Sequence, residues 1–269
     1  VILFYKFVDL VDPNKIMQEQ RELCLSLGLK GRMFLAEEGV NATFEGTEEN
    51  VNEYKERMKE GKWKDLFGEI VFKESEGTGQ AFTRLQVTVR KEVVTLGAGR
   101  FDVDRETAPS VTADELERMY ESGEDFVVLD LRNDYEINVG AFDKTIHPDL
   151  QNFRELPEKL KNIEHLKNTN TKIIPVCTGG IRCDKATCLL QKEGFKNLYQ
   201  LKDGIHTYMA KYPGKHFKGS LFVFDNRITT PVVDTPDREV IGKCAYCGVS
   251  SEEFYSNDTM RPSRKVIAC

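Results

Sequence analysis

The stretch "TKIIPVCTGGIRCDKA", residues 171–186, joins an apolar run to a helical pattern through a cysteine and two glycines. Residues 171–177 are apolar enough for a strand that is buried on both faces of a parallel sheet. A helical pattern follows over 182–193. Ligands bind at the carboxyl ends of the strands in open α/β sheets, and Cys177 lies at such an end. The stretch therefore predicts an α/β domain with Cys177 at its functional edge.

Strand and helix patterns alternate on both sides of this stretch. The runs "FVVLDLR" (126–132) and "NLYQLKDG" (197–204) predict two further strands. Helical patterns cover 112–122, which opens on the capping box Thr-Ala-Asp-Glu, and 153–167. This alternation is typical of an α/β domain with a largely parallel sheet.

The beginning of the chain predicts a separate domain. Strand runs and two helices, which open at Asp12-Pro13 and at Thr47, follow the order β-α-β-β-α-β of ferredoxin-like domains. Residues 98–112 carry glycine, proline and charges without periodicity, which indicates a linker. Patterning fades after residue 213, apart from the strand run "SLFVFD". We therefore expect the following parts: a ferredoxin-like (acylphosphatase-like) domain over 1–97, a linker over 98–112, an α/β domain over 113–213 and an irregular cysteine-containing extension over 214–269.

Charge and cysteine content limit the classes of function. The net charge of −6 argues against a protein that coats nucleic acid through bulk charge, but it allows a local basic face. Candidates for such a face are the strand run that holds Arg84, Arg90 and Lys91 and the segment 211–218, although scattered solvated charge is the more common explanation for either one alone. The seven cysteines lack the spacing of a secreted disulfide framework, so we expect a cytoplasmic protein. No apolar run approaches the ~20 residues that a membrane span needs.

The cysteine loop has the composition of a nucleophilic site. Gly179 and Gly180 allow several backbone N–H groups to converge, and the positive end of the next helix adds to their field. A thiol at that point should have a lowered pKa and act as a thiolate near neutral pH. The alternative is an inert cysteine buried at a strand end. Arg182 is expected to turn towards the loop or to pair with Asp130 or Asp134.

The segment Cys177-Thr178-Gly179-Gly180-Ile181-Arg182 resembles the six-residue active loop of rhodanese domains, in which a cysteine carries a persulfide. The phosphatases of related fold use a longer loop. "VVLDLRNDYEINVGAF" (127–142) and "LYQLKDGIHTYMAKYP" (198–213) resemble other rhodanese segments. With "AEEGVNAT" (36–43), "FVFDNRI" and "IGKCAYCG", the chain resembles the bacterial rhodanese-containing tRNA uridine hydroxylases. These enzymes convert the wobble uridine 34 to 5-hydroxyuridine with molecular oxygen.

The resemblance implies a rhodanese-like catalytic domain over 113–213 that acts on tRNA with oxygen as co-substrate. Its catalytic residue would be Cys177, and residues 178–182 would form the active-site loop. Accessory roles would fall to Cys183 and to the Asp-x-Arg pair, Asp130 and Arg132. The N-terminal domain would clamp tRNA through Arg84, Arg90 and Lys91. No flavin or nicotinamide fingerprint is present, so no organic cofactor is expected.

Two further groups of residues are candidates for binding. Phe82, Tyr208 and Phe217 are candidates for stacking on unpaired bases, although an aromatic residue is more often part of the core. Cys244 and Cys247 form half of a zinc knuckle, with Cys269 as a third cysteine and no second Cys-x-x-Cys pair. We expect either that the natural chain continues beyond its printed end and holds structural zinc, or that the site has degenerated.

Two alternatives to the hydroxylase remain. A sulfurtransferase would form a persulfide on Cys177, with Arg182 and the loop amides binding thiosulfate. A rhodanese-like binding platform would need no chemistry, but an intact cysteine within a glycine loop speaks against it. The extra N-terminal domain and its basic strand favour the hydroxylase, because thiosulfate needs neither. The loop by itself favours the sulfurtransferase.

Overall fold

The structure is a computed structural model that describes residues 1–233, 238–257 and 264–269. The chain divides into two compact units. Val1–Thr95 together with Asp225–Arg227 form the first, and Leu96–Phe224 together with Ile228–Cys269 form the second. Each unit has a hydrophobic core of its own.

The first unit is a five-stranded sheet with helices on one face. Its elements are β1 (Ile2–Phe7), α1 (Pro13–Ser26), β2 (Lys30–Ala36), β3 (Gly39–Glu45), α2 (Glu48–Met58), α3 (Gly61–Phe67), β4 (Lys73–Glu74) and β5 (Leu85–Val89). The strand order is β4-β1-β3-β2-β5, and the first four strands are antiparallel neighbours. Two interleaved β-α-β units give this order, which confirms the ferredoxin-like prediction. β5 is an addition that pairs with β2 in parallel.

Local sequence signals explain why these elements form. Asp12 caps α1, since its carboxylate accepts a hydrogen bond from the Lys15 N–H at 3.0 Å. Thr47 caps α2 in the same way. Alternate residues of the strands are buried under the helices, and Phe4, Met33 and Phe44 are fully inaccessible to solvent there.

The second unit contains a parallel sheet and two smaller antiparallel groups of strands. Its strands are β6 (Ser110–Val111), β7 (Phe126–Asp130), β8 (Gly140–Phe142), β9 (Thr145–Ile146), β10 (Lys172–Val176), β11 (Gln200–Leu201), β12 (Phe217–Phe222), β13 (Thr229–Pro231), β14 (Phe254–Asn257) and β15 (Arg264–Ile267). Its helices are α4 (Val103–Glu106), α5 (Ala113–Glu121), α6 (Asp134–Ile137), α7 (Leu156–Lys159), α8 (Ile181–Lys192) and α9 (Gly204–Lys211), with 3-10 helices at Phe153–Glu155 and Leu160–Leu166.

The parallel sheet confirms the α/β prediction. β7 lies between β10 and β9 and is parallel to both. A parallel bridge from Ile173 to Leu198 continues the pairing towards β11, which is itself parallel to β6. Phe126 and Val128 of β7 and Ile174 and Val176 of β10 belong to one core cluster with residues of α5 and α9. The sheet therefore presents the carboxyl end of β10, and with it Cys177, at one edge.

The structure differs from the sequence prediction in three segments. Residues 98–112 hold α4 and β6, and the predicted helix over 153–167 is mostly 3-10 helix around a single α-helical turn. The extension after residue 213, predicted as irregular apart from the strand run "SLFVFD", contains four strands in its described residues: β12 pairs with β8 and β13, and β14 pairs with β15. β13, β14 and β15 have only three or four residues each, so they leave little local periodicity.

Within the ranges that the structure describes, no helix is both long and apolar enough to cross a bilayer.

Candidate active site around Cys177

The loop between β10 and α8 encloses the sulfur of Cys177. Cys177 is fully buried, and its Sγ accepts a hydrogen bond from the Gly180 N–H at 3.1 Å. Gly180 caps α8 with a φ of 102°, a left-handed conformation that a residue with a Cβ rarely adopts. The glycine at this position therefore allows the chain to turn and its N–H to reach the sulfur.

Three kinds of interaction stabilise a thiolate at Cys177. Burial raises the pKa of the thiol, but this effect is overcome by a hydrogen bond from the Cys183 thiol, by the positive charge of Arg182 and by backbone N–H groups of residues 182 and 183. Together they lower the pKa of Cys177 to about 5. At neutral pH the side chain is therefore a thiolate, the reactive form of cysteine.

Cys183 behaves in the opposite way. Its thiol is fully buried in α8, and burial, followed by the neighbouring Cys177, raises its pKa well above the ordinary range. Cys183 therefore stays protonated and donates a hydrogen bond to the Cys177 sulfur. The pair carries one negative charge, which is located on Cys177.

Arg182 pairs with Glu136, and not with Asp130 or Asp134 as the sequence suggested. Its Nη1 lies 2.7 Å from Glu136 Oε2 and its Nη2 lies 2.8 Å from Glu136 Oε1. Nη2 also donates to the Thr178 hydroxyl at 3.2 Å. Burial lowers the pKa of Arg182, but the Glu136 carboxylate outweighs it and raises that pKa. This bidentate pair fixes the guanidinium beside the loop.

Asp130 and Arg132 form a second buried ion pair, whose Nη2–Oδ2 distance is 2.7 Å. Arg132 Nη2 also donates to the Gly140 carbonyl at 2.6 Å, and Nη1 donates to the Glu136 carbonyl at 3.4 Å. Arg132 thus connects the end of β7 to α6 and β8. Its role in the described geometry is to position Glu136, which in turn holds Arg182.

The start of α9 holds the loop from its other side. The N–H groups of Ile205 and His206 donate to the carbonyls of Cys177 and Thr178, each at 3.0 Å. Gly204 has a φ of +74°, and a Cβ there would lie 2.7 Å from Cys177 O and from Gly180 N. Only glycine therefore fits at this approach of two backbones.

Sequence reasoning did not select Glu136 or Gly204 as site residues. A usable signal existed for both. Glu136 stands in the quoted segment that leads from the Asp-x-Arg pair, and Gly204 follows Asp203 directly before a helical pattern, where a turn residue with positive φ is common.

Three family models match consecutive parts of the chain. The UPF0176 acylphosphatase like domain matches residues 1–93, the Rhodanese-like domain matches residues 112–211, and the Rhodanase C-terminal model matches residues 218–269. The rhodanese-like match contains the whole loop around Cys177.

Curated relatives match nearly the full chain. A tRNA uridine(34) hydroxylase of Cytophaga hutchinsonii is 36% identical over 94% of this chain and 79% of its own length. The proteins of the same name from Staphylococcus haemolyticus and Bacillus licheniformis are 37% and 39% identical, each over 99% of this chain and 82% of the relative. The chain belongs to the tRNA uridine(34) hydroxylase family. The family name denotes an oxidoreductase.

For a member of the tRNA uridine(34) hydroxylase family, the basic residues of the first unit are of interest. Arg84 and Arg90 lie at opposite ends of β5, roughly 20 Å apart at 3.3 Å per residue, and Lys91 follows Arg90. All three are exposed, and the Arg90 guanidinium lies 4.8 Å from the centre of the Phe34 ring. They do not form one compact patch. The second basic segment, 211–218, is largely neutralised, because Lys211 pairs with Asp114 and Lys215 pairs with Glu117.

The aromatic residues suggested for base stacking are buried. Tyr208 and Phe217 belong to the core of the second unit and have no accessible surface, and Phe82 is 6% exposed. Core packing, which the sequence favoured for each of them, takes their faces, and the stacking candidate role is wrong.

This member of the hydroxylase family also brings three cysteines together near the end of the chain. The Sγ atoms of Cys244, Cys247 and Cys269 all lie within 4.8 Å of one another. Backbone N–H groups of Cys247 and Tyr246 lower the pKa of Cys244 to about 6. A buried thiol beside two exposed ones gives a sulfur-rich donor set of the type that zinc prefers.

Proposed function

We propose that this protein hydroxylates C5 of uridine 34 in tRNA, with molecular oxygen as co-substrate and the Cys177 thiolate as the catalytic group. The observation that carries the proposal is the Cys177 sulfur, held by the Gly180 N–H at 3.1 Å in the loop between β10 and α8, in a chain whose relatives bear the name tRNA uridine(34) hydroxylase over nearly its whole length. A tRNA substrate implies that the reaction takes place in the cytoplasm.

The thiolate acts by covalent catalysis. Addition of the Cys177 sulfur to C6 of the uracil breaks the C5–C6 double bond and makes C5 electron-rich. C5 then takes one oxygen atom from O2. The other atom leaves as water with two electrons and two protons from a pair of thiols, which become a disulfide. Loss of the C5 proton and departure of the sulfur from C6 restore the double bond and the free thiolate.

The Arg182–Glu136 pair favours this reaction over thiosulfate sulfur transfer. In a sulfurtransferase, Arg182 would bind the thiosulfate anion together with the loop amides. Here both terminal nitrogens of Arg182 already donate to the Glu136 carboxylate, at 2.7 and 2.8 Å. The guanidinium therefore supports the loop and the thiolate instead of facing a second anion.

Two further roles belong to the proposal. Arg84, Arg90 and Lys91 contact tRNA phosphates through the first unit, which their exposure supports. Cys244, Cys247 and Cys269 hold a structural zinc ion, which the separation of their sulfurs supports.

The test is nucleoside mass spectrometry of tRNA from cells that lack the gene. Complementation with wild type should restore 5-hydroxyuridine, and the restored nucleoside should carry heavy oxygen when the cells grow under isotopically heavy O2. Cys177→Ala should restore less than about 1% of the wild-type level, since no other group replaces the nucleophile. Cys188→Ala, which removes another buried thiol of α8, is the matched control and should restore the modification fully.

Three results would contradict the proposal. Equal restoration by Cys177→Ala would exclude the thiolate as catalyst, and light oxygen in the product would exclude O2 as the source. A modification that never depends on the gene would exclude the tRNA reaction and lead to an assay of thiosulfate transfer.

A further inference from the structure

The second unit contains a cleft of about 380 Å³ that the proposed reaction leaves without a role. It is lined by the end of α6, the segment 241–245 and the β14–β15 hairpin. We propose that this cleft binds one nucleotide of the tRNA anticodon loop next to the target uridine, an inference that rests on the proposed function. Its volume is near the lower end of the ~300–1,000 Å³ of ligand pockets, which suits a single nucleotide.

The charges that line the cleft favour a phosphate. Lys243 and Lys265 both line it, and none of the described lining residues is acidic. Lys243 Nζ is held by the Ser250 hydroxyl at 2.7 Å, which leaves its charge uncompensated by that contact. Lys265 Nζ lies over the Phe222 and Tyr135 rings, 4.7 and 6.0 Å from their centres. With Lys243 it places two ammonium groups beside one small cleft in a chain of net charge −6, which favours an anionic backbone there.

The rings that line the cleft favour a base. Tyr135 and Phe254 each pack edge-on against Phe222, with ring centres 5.1 and 5.2 Å apart. Phe222 is fully buried, so it fixes the two outer rings without itself facing solvent. Tyr135 and Phe254 are only partly buried and supply aromatic surface of the type on which unpaired bases stack.

Tyr135 also offers a hydrogen bond. Its hydroxyl oxygen accepts from Asn133 Nδ2 at 2.7 Å, so the hydroxyl proton is available for another acceptor. A base carbonyl or a phosphate oxygen would complete the bond.

The position of α6 connects the cleft to the catalytic loop. Tyr135 lines the cleft, and the next residue, Glu136, holds Arg182 beside Cys177. Burial raises the pKa of Tyr135, and the positive charge of Arg182 acts against that increase. One short helix thus contacts both sites, which suits neighbouring nucleotides of a single loop.

The experiment measures binding of the full chain to an anticodon stem-loop RNA by fluorescence anisotropy at several salt concentrations. The variant Lys243→Gln/Lys265→Gln should weaken binding at least tenfold and reduce the slope of log K against log salt by about 1 to 2, as the loss of two phosphate contacts requires. Lys161→Gln/Lys196→Gln, which removes the same charge from exposed positions of the same unit, should change neither value.

A second variant, with a smaller change in side-chain shape, distinguishes a loss of RNA binding from misfolding. Asn138 is exposed at the rim of the cleft, so Asn138→Asp adds one negative charge with almost no change in shape. It should weaken RNA binding severalfold, whereas Asn168→Asp, at an exposed position elsewhere in the unit, should not.

The outcomes separate the cleft from the proposed function. If wild type binds the RNA and restores 5-hydroxyuridine in cells but the cleft variants bind as tightly as wild type, the cleft proposal is wrong and the function stands. If wild type neither binds the RNA nor restores the nucleoside, the proposed function fails first. Equal weakening by the control variants would reduce the effect to net charge and would also overturn the cleft proposal.

Discussion

Cys177 and Cys183 lie six residues apart and form one buried pair, but their pKa values shift in opposite directions. The pKa of Cys177 is lowered and that of Cys183 is raised. The difference comes from geometry. Cys177 receives N–H groups and faces Arg182, whereas Cys183 is buried among groups that leave its charged form without comparable support. A neutral donor next to a charged acceptor is a stable arrangement, because the shared hydrogen bond is charge-assisted.

A pH titration of thiolate absorbance at 240 nm tests this arrangement. The difference between wild type and Cys177→Ser should show one transition near pH 5. Cys183→Ala should move it upward by about one unit, because one hydrogen bond to the thiolate is lost. Cys188→Ala should leave it unchanged. A transition near the ordinary thiol value of about 8.5 in wild type would contradict the arrangement.

The same shift has a consequence for stability. The folded pKa of Cys177, about 5, lies below that of the unfolded chain, so the thiolate contributes stability that is fully present above about pH 8.5 and is lost as pH falls towards 5. The free energy of unfolding of wild type relative to Cys177→Ser should therefore increase with pH across that window.

At the scale of secondary structure elements, the active loop depends on the ends of three of them. β10 delivers Cys177, α8 points N–H groups at it, and α9 binds the loop carbonyls through Ile205 and His206. At Gly204 the backbone of α9 lies so close to the backbone of the Cys177 loop that no side chain fits between them. The loop is therefore supported by backbone contacts on both sides, and a small displacement of α9 would move the sulfur.

Gly204→Ala should be more harmful than a glycine substitution elsewhere. Gly194→Ala is the matched control, because Gly194 also has a positive φ, +86°, but a Cβ there would meet nothing within 4 Å. The control should lose about 1–2 kcal/mol from the left-handed backbone and keep its activity. Gly204→Ala should lose more stability, and its 5-hydroxyuridine formation should fall at least tenfold. Denaturant unfolding and nucleoside analysis measure both, and equal behaviour of the two variants would contradict the packing argument.

Elements were predicted from sequence where their signals are local. The caps at Asp12, Thr47 and Thr112 and the apolar runs of β7 and β10 are signals within a few residues, and these elements appear where expected. The pairing of Arg182 with Glu136 joins residues far apart in the chain, so several acids were equally plausible partners. The sequence also left open whether Tyr208 and Phe217 are buried, because aromatic residues occur both in cores and on binding surfaces.

At the scale of the whole molecule, the C-terminal extension serves both units. Its strand β12 pairs with β8 in the second unit, while residues 225–227 belong to the first. There Asn226 and Arg227 donate to the carbonyls of Gln80 and Glu76 at 2.8 and 2.6 Å. Further along, the three-cysteine cluster ties the segment around Cys244 to Cys269 after the β14–β15 hairpin.

Metal analysis tests the cysteine cluster. Purified wild type should contain about one zinc ion per chain, and treatment with a chelator should lower its thermal midpoint, because structural zinc contributes directly to folding. Cys247→Ser should lose the metal. Cys24→Ala, which removes a buried thiol from the first unit, should keep it. Metal-free wild type with an unchanged midpoint would contradict the zinc proposal.

The membership of residues 225–227 in the first unit has a consequence for synthesis on the ribosome. The first unit leaves the exit tunnel first, yet its last three residues follow only after 96–224 have been translated. At elongation rates of about 5–20 residues per second this interval is on the order of 10 s. During that time Ser75 and the backbone of Glu76 lack the Arg227 side chain that contacts them in the finished protein. The domain whose synthesis begins first is therefore completed only after residues 96–224 of the second unit have been made, and a ribosome that stalls before codon 225 carries a first unit that is still unfinished.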